Sequence, residues 1–320
     1  MLIVYGAANY QHTGEKLFLS LGNFDGLHMA HRLIVKRTCS LAWQAGAKSA
    51  VFLFDPHPVT RLYPEKEFLL LSSVKMRAEA LAQMGIDYLI VEEFNERVAA
   101  LSPFRFVTDY LVQIFTVTGV VIGFDHTFGR GGRGTPVHLL KWGEQFIFTV
   151  EVVPPVIIGN EIVSSSLIRE LLSRGEVKDA ARYLGEYFKI SGQVVCGEGR
   201  GRMLGFPTAN LHVPEGLLLP AKGVYLCSIA FWGKRYFALT NIGSKPTFHH
   251  NKKISVEVFL LDFNGDLYGE ELTVAFLHRI RKEITFAKAG SLVEQIRNDE
   301  KRARELIRRD YASLADNACC

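Results

Sequence analysis

Residues 17–31 read LFLSLGNFDGLHMAH, an apolar run that breaks at Gly22 and resumes as a helical pattern from His28. The run predicts a strand over 17–22, and the helical stretch 28–45 ends before Gly46, which suits a C-terminal cap. A second apolar run over 48–54 follows at once, so residues 17–54 form a βαβ unit. That unit commits the first half to a parallel sheet covered by helices. Working outward, further strands are predicted over 87–91, 119–124 and 147–153, and a short helix over 176–184. In such sheets ligands bind beyond the carboxyl ends of the strands, so the segments after residues 22, 54 and 124 are expected at one crevice.

The turn in the opening stretch carries its own chemistry. His28 and His31, three apart in a first helical turn, share one face beside the free N–H groups of a helix N-terminus. That combination favours an anion, phosphate above all. Taken alone, the pair fits equally a structural arrangement with one histidine capping the helix and the other solvated. A metal site would need a third ligand, and no carboxylate or cysteine stands at matching spacing.

The texture changes after about residue 186. From Lys189 onward, runs rich in β-branched and aromatic residues are separated by turns, with Trp232-Gly233-Lys234 and Asn264-Gly265 in hairpin contexts. This predicts a β-barrel or sandwich closed by one C-terminal helix. Ser291 and Glu294 read as the capping box of that helix, and Leu292, Ile296, Ala303, Leu306 and Ile307 as its apolar stripe. The expected domains are 1–186 and 187–320, joined within 185–190.

The 320 residues are 48% hydrophobic and 22% charged, which excludes a disordered or fibrous chain. No apolar run approaches the roughly 20 residues of a membrane span. The start MLIVY lacks the basic region of a secretory signal. Five cysteines, an odd number without C-x-x-C spacing, argue against a disulfide framework or zinc site. A soluble cytoplasmic protein is expected, with Cys319-Cys320 a terminal tail or, alternatively, a lipidation signal. Residues 1–186 hold 18 Lys and Arg against 19 Asp and Glu, whereas the remainder hold 19 against 14. The basic second half suits phosphorylated ligands or nucleic acid, or reflects a solvated helix face through Lys301, Arg302, Arg304, Arg308 and Arg309.

Several segments together resemble one family. The G-x-F-D-G-x-H-x-x-H run resembles the H-x-G-H signature of nucleotidylyltransferases. FDPHP at 54–58, GFDHTFG at 123–129, VSSSLIR at 163–169, PTAN at 207–210 and NIGSKPTF at 241–248 are similar to segments of bacterial bifunctional riboflavin kinase/FAD synthetases. The resemblance implies a Rossmann-like FMN adenylyltransferase α/β domain followed by a riboflavin kinase β-barrel with a C-terminal helix. It further implies phosphorylation of riboflavin to FMN by ATP, then adenylylation to FAD with release of pyrophosphate. Implied ligands are riboflavin, FMN, ATP and Mg²⁺, with no nucleic acid or membrane partner.

Residue by residue, the resemblance assigns His28 and His31 to the ATP phosphates, where they stabilise charge developing at the α-phosphorus. Asn23 and Asp25 shape that pocket, although Asp25 reads equally as a helix cap. His57, Ser164, Ser165 and Arg169 are implied nucleotide contacts, and Asp125 and Phe128 flavin contacts. In the second half, Gly199, Arg200, Gly201 and Arg202 make a glycine-rich flap over phosphates. Thr208 and Asn210, two apart in extended chain, offer hard oxygen ligands to Mg²⁺ on one side. Glu257, set among apolar neighbours in VEVFLLDF, is the implied base for the terminal ribityl hydroxyl.

Some features depart from this pattern or compete with it. Ala30 replaces the usual glycine between the histidines, so a kinase with a weakened adenylyltransferase site is the alternative. Cys196 and Phe259 stand where histidines are common, and neither removes a proposed chemical group. GRGGRG at 129–134 literally matches a dinucleotide fingerprint, which would suit a nicotinamide-dependent oxidoreductase, but it lies away from the first βα turn where that fingerprint belongs.

Overall fold

The computed structural model describes residues 1–196, 205–245, 253–286 and 288–315. The chain divides into two units, Met1–Ser165 and Ser166–Cys320.

In the first unit, strands β1 (Leu2–Tyr5), β2 (Leu17–Leu21), β3 (Lys48–Asp55), β4 (Tyr88–Glu93), β5 (Gly119–Gly123) and β6 (Thr149–Val153) form one parallel sheet. Their order is β1-β4-β3-β2-β5-β6. The interior strands are apolar on both faces because helices cover both: Leu19, Ala50, Leu53 and Val121 have no exposed surface. Helix α1 (Met29–Gln44) connects β2 to β3, with Gly46 left-handed just past its end. Helices α2 (Val74–Gln83) and α3 (Pro136–Phe146) precede β4 and β6. The chain winds from β2 toward β4 on one side and returns to β5 on the other, so the topological switch lies between β2 and β5. The carboxyl ends of those two strands, at Gly22 and Gly123, are therefore where a ligand crevice belongs. A small hairpin, β7 (Ile157–Ile158) with β8 (Glu161–Ile162), follows the sheet.

The predicted strands of this unit agree with the observed ones to within about two residues. Strand β1 has no counterpart among them: its parallel pairing with β4 supplies the partner that its short, largely exposed sequence does not advertise.

The second unit begins with α4 (Ser165–Arg174), which starts at the boundary, and α5 (Val177–Leu184), ended by left-handed Gly185. Strands β9 (Lys189–Val195), β10 (Ala209–His212), β11 (Gly223–Phe231), β12 (Lys234–Lys245), β13 (Lys253–Leu260) and β14 (Glu271–Lys282) close a barrel in the order β10-β13-β12-β11-β14-β9. Trp232 and Gly233, both at positive φ, make the two-residue hairpin between β11 and β12 that the sequence predicts. Thr240, Ile242, Val256 and Val258 are buried on one side of β12 and β13. On the other side Leu239 and Phe259 pack with Ala303 and Leu306 of α6 (Ala289–Asp310).

Two local expectations are corrected. Asn264-Gly265 does not close a hairpin: β13 lies between β10 and β12 while β14 lies between β11 and β9, because barrel closure rather than the local turn sets strand adjacency. The C-terminal helix begins at Ala289 after Lys288, whose side chain makes no cap bond, so Ser291 and Glu294 lie inside it. Three basic residues of α6 are spent in ion pairs, Arg302 with Glu305, Arg304 with Asp262 and Glu300, and Arg309 with Asp310. Asp299 of the same helix takes Arg281 of β14.

Candidate active sites

The turn after β2 is built by unusual backbone and buried polar groups. Phe24 and Leu27, both buried, take positive φ of 51° and 40°, a conformation that costs side-chain-bearing residues of order 1–3 kcal/mol each. Gly26 is required: at φ 77° a Cβ would stand 2.7 Å from Leu71 Cδ1. The Asp25 carboxylate, buried, accepts from the N–H groups of Leu71 and Ser72, each at 3.0 Å, and from Ser72 Oγ. Asn23 Oδ1 accepts from Phe54 N at 3.2 Å, which ties the turn to β3. Beneath it, Arg77 of α2 is 1% exposed and donates from Nη1 to the Asn23 carbonyl at 2.5 Å. Burial pulls its pKa down, and the charges of Asp25 and Asp55 oppose that shift.

His28, not Asp25, caps α1: its Nδ1 accepts from His31 N at 3.4 Å. The reading of Asp25 as the cap is therefore corrected, because its carboxylate is committed to residues 71–72. A neutral His28 ring accepting at Nδ1 carries its proton on Nε2. The two imidazoles stack with centroids 3.6 Å apart and planes 15° from parallel. Phe24 meets His31 edge-on at 5.3 Å. The shared face expected from their spacing is thus observed.

Ser165, the last residue of the first unit, donates from Oγ to the Asp25 carbonyl at 2.9 Å and so sits at the histidine turn. Ser164 immediately precedes α4, and Arg169 lies one turn into it, in the second unit. Asp125 is exposed just past β5, and a Cβ on Gly123 would stand 3.3 Å from its Oδ1 and 3.4 Å from Ile34 of α1. Phe128 is mostly committed to the core, against Phe106 and Trp142. His57 caps the short helix Pro58–Leu62 and stacks on Phe68 at 4.6 Å. The GRGGRG segment closes on itself through a Phe128–Gly134 bridge, so it does not form the strand-turn-helix of a dinucleotide fingerprint.

Two buried groups here are not foreseen from the sequence. Arg77 carries no local signal, being a lone arginine on a helix. His126 Nε2 is buried with no hydrogen-bond partner among the described residues, and burial lowers its pKa to about 4. A cavity of about 550 Å³ also opens beyond β1, β3 and β4, lined by Tyr5, Asp55, Glu92, Glu93, Arg97 and Tyr110. Its carboxylates make it a poor receiver of phosphate.

In the barrel, register assembles the second candidate site. Glu257 of β13 lies directly opposite Asn210 of β10 on one side and Asn241 of β12 on the other. Directly opposed residues of antiparallel strands project to the same face, with Cβ atoms about 5 Å apart. The three side chains therefore form one row on the face that alternates with buried Val256 and Val258. Phe206 packs edge-on against Phe259 at 5.5 Å, which brings the segment leading to Thr208 beside this row. Thr208, Asn210 and Glu257 are all half-buried. Gly199, Arg200, Gly201 and Arg202 lie outside the described residues, as does Cys319-Cys320.

The FAD synthetase family model matches residues 10–167, and the riboflavin kinase family model matches residues 184–307. The chain is 35% identical over 299 residues to the bifunctional riboflavin kinase/FMN adenylyltransferase of Listeria monocytogenes, covering 93% of each. Its identity to the protein of that name from Escherichia coli strain K12 is 34% over 309 residues, covering 96% of this chain and 98% of that one. A crystal structure described as a macrolide-efflux protein from Streptococcus pneumoniae shares the fold with a TM-score of 0.86. It is 30% identical and covers 95% of this chain and 99% of that one. Among the described residues, no helix is long and apolar enough to cross a membrane.

Proposed function

The chain belongs to the bifunctional riboflavin kinase/FMN adenylyltransferase family, and from that membership we propose that it makes FMN and then FAD at two separate sites. Residues 187–320 carry the kinase step and 1–186 the adenylyl transfer. The observation that carries the kinase assignment is the pairing of Asn210 with Glu257, which sets an amide oxygen and a carboxylate side by side on the barrel.

Glu257 takes the proton of the terminal ribityl hydroxyl as its oxygen attacks the γ-phosphorus of ATP. The bond from γ-phosphorus to the β,γ-bridging oxygen breaks and ADP leaves. Thr208 and Asn210 suit Mg²⁺ by donor type, hydroxyl and amide oxygen. No group of three His, Cys, Asp or Glu among the described residues could hold a metal ion, so phosphate and water would supply its other ligands. Bound there, Mg²⁺ would neutralise charge on the nucleotide phosphates. Arg200 and Arg202 add positive charge for the phosphates.

In the first unit, a phosphate oxygen of FMN attacks the α-phosphorus of ATP and pyrophosphate leaves. The stacked His28 and His31, at the N-terminus of α1, stabilise the charge that builds on the α-phosphate oxygens. Asn23, Asp25 and His57 act by holding the pocket's shape, since their side chains bond within the protein. Ser164 and Ser165 contact the nucleotide, and Asp125 and Phe128 border the flavin. A kinase-only reading based on Ala30 is not favoured, because the FAD synthetase match spans the histidine turn. The enzyme works in the cytoplasm, a reducing compartment in keeping with free Cys39, Cys196 and Cys227.

The test is product analysis. Incubation of purified chain with riboflavin, ATP and Mg²⁺ should yield FMN and FAD together. FMN alone would support the kinase-only reading, and unchanged riboflavin beside an active control enzyme would overturn both.

A further inference from the structure

Asn241 is assigned no role by the features that identify the two sites, yet register sets it directly beside Glu257, on the side away from Asn210. Its neighbours Thr240 and Ile242 turn into the buried side of the barrel, so the Asn241 amide faces outward with the Glu257 carboxylate. It is half-buried, and no hydrogen bond joins its amide to a described residue. A half-buried amide at a reaction centre offers two N–H donors and a carbonyl acceptor to whatever lies against it.

The floor beside it is closely packed. A Cβ added to Gly243, two residues along the same face, would stand 3.2 Å from Asn241 Nδ2 and 2.8 Å from Glu283 Oε1. Glu283 is itself fixed there, since Oε1 accepts from Ser244 N at 3.1 Å. Gly243 does not take a positive φ, so backbone geometry does not require glycine at this position. What glycine provides is room for the Asn241 amide and the Glu283 carboxylate to lie close against the backbone, next to the proposed base, where a Cβ would force one of them to shift.

We infer that Asn241 is a specificity-determining residue whose amide, seated beside Gly243, binds a hydroxyl of the polyol chain next to the one that Glu257 deprotonates. Cross-strand Cβ atoms about 5 Å apart suit two adjacent hydroxyls of a chain, one on each side chain. A polyol satisfies this site because each hydroxyl both donates and accepts, whereas a hydrocarbon chain would leave the amide unpaired. The inference rests on the reading of Glu257 as the kinase base.

The test compares riboflavin with its 4′-deoxy analogue, which lacks the hydroxyl adjacent to the terminal one, on the full chain with ATP and Mg²⁺. Wild type should lose about tenfold or more in kcat/KM on the deoxy analogue. Asn241→Ala should lose a similar factor on riboflavin, through KM for the flavin with KM for ATP unchanged, and should lose little more on the analogue. Gly243→Ala, a milder change whose methyl crowds the Asn241 amide and Glu283, should also raise KM for riboflavin alone. A purely structural role for Asn241 would leave the deoxy penalty as large in the variant as in wild type, and that result overturns the inference. So would wild-type kinetics in both variants. Glu257→Gln separates the two levels: if it retains FMN formation, the underlying assignment of the base fails, whereas loss in Glu257→Gln with an uncoupled Asn241 sinks this inference alone.

Discussion

Arg77 offers a demanding check on how the histidine turn is held. Replacing it with Met keeps an apolar stem of similar reach and removes the charge and donors. The Asn23 carbonyl then loses its donor at 2.5 Å, and the carboxylates of Asp25 and Asp55 lose an opposing charge. Breaking a buried charged arrangement by removing one partner costs about 3–5 kcal/mol. Asp25 keeps its bonds from Leu71 N, Ser72 N and Ser72 Oγ, so the lower end, about 3 kcal/mol, applies. With a urea dependence of about 2–3 kcal/mol/M, the midpoint should fall by about 1–1.5 M. Trp142 reports on this unit, since it packs against its core while Trp43 and Trp232 are 83% and 66% exposed. Adenylylation of supplied FMN should fall with stability, and phosphorylation of riboflavin should not. Arg77→Lys, which retains charge without the planar fork, should recover part of the loss. A Trp142 transition in Arg77→Met within about 0.3 M of wild type would refute the claim that this guanidinium holds the turn.

Two further perturbations follow from the same region. Gly26→Ala forces a methyl toward Leu71 at φ 77°, and should destabilise by about 2 kcal/mol and slow adenylyl transfer, measured by urea titration and FAD formation. His126 bears on pH. Its folded pKa of about 4 lies below the ordinary value of 6.5, so the unfolded chain takes up the proton first as pH falls. Its contribution to stability is therefore full above pH 6.5 and is lost progressively down to about pH 4. The residue as a whole is half-buried, and a loss of about 1–3 kcal/mol is expected. His126→Gln should flatten that part of the stability profile, and an unchanged slope would count against a neutral buried imidazole.

The central strands of the parallel sheet are legible in the sequence because burial on both faces leaves an apolar run, as in β3. Strand β1 is not, since Leu2, Ile3 and Tyr5 are exposed on an edge and owe their conformation to pairing with distant Tyr88–Val91. The hairpin expected at Asn264-Gly265 fails for the same reason: adjacency in a closed barrel is decided by all six strands together. The histidine pair is visible from its spacing, but its support is not. Arg77 and the bonds from residues 71–72 to Asp25 span about 50 positions, and no local pattern announces them. Likewise the motif residues Asn210 and Glu257 stand in recognisable segments, whereas the row that joins them to Asn241 exists only through register.

Two separable sites acting in sequence on one flavin, with Glu257 serving only the first, make a division that a single variant can expose. Both steps are followed in Glu257→Gln, with the flavins resolved chromatographically. The expected result is no FMN from riboflavin and an undiminished rate of FAD formation from supplied FMN. Retention of FMN formation, or equal loss of both steps in a folded protein, would contradict it.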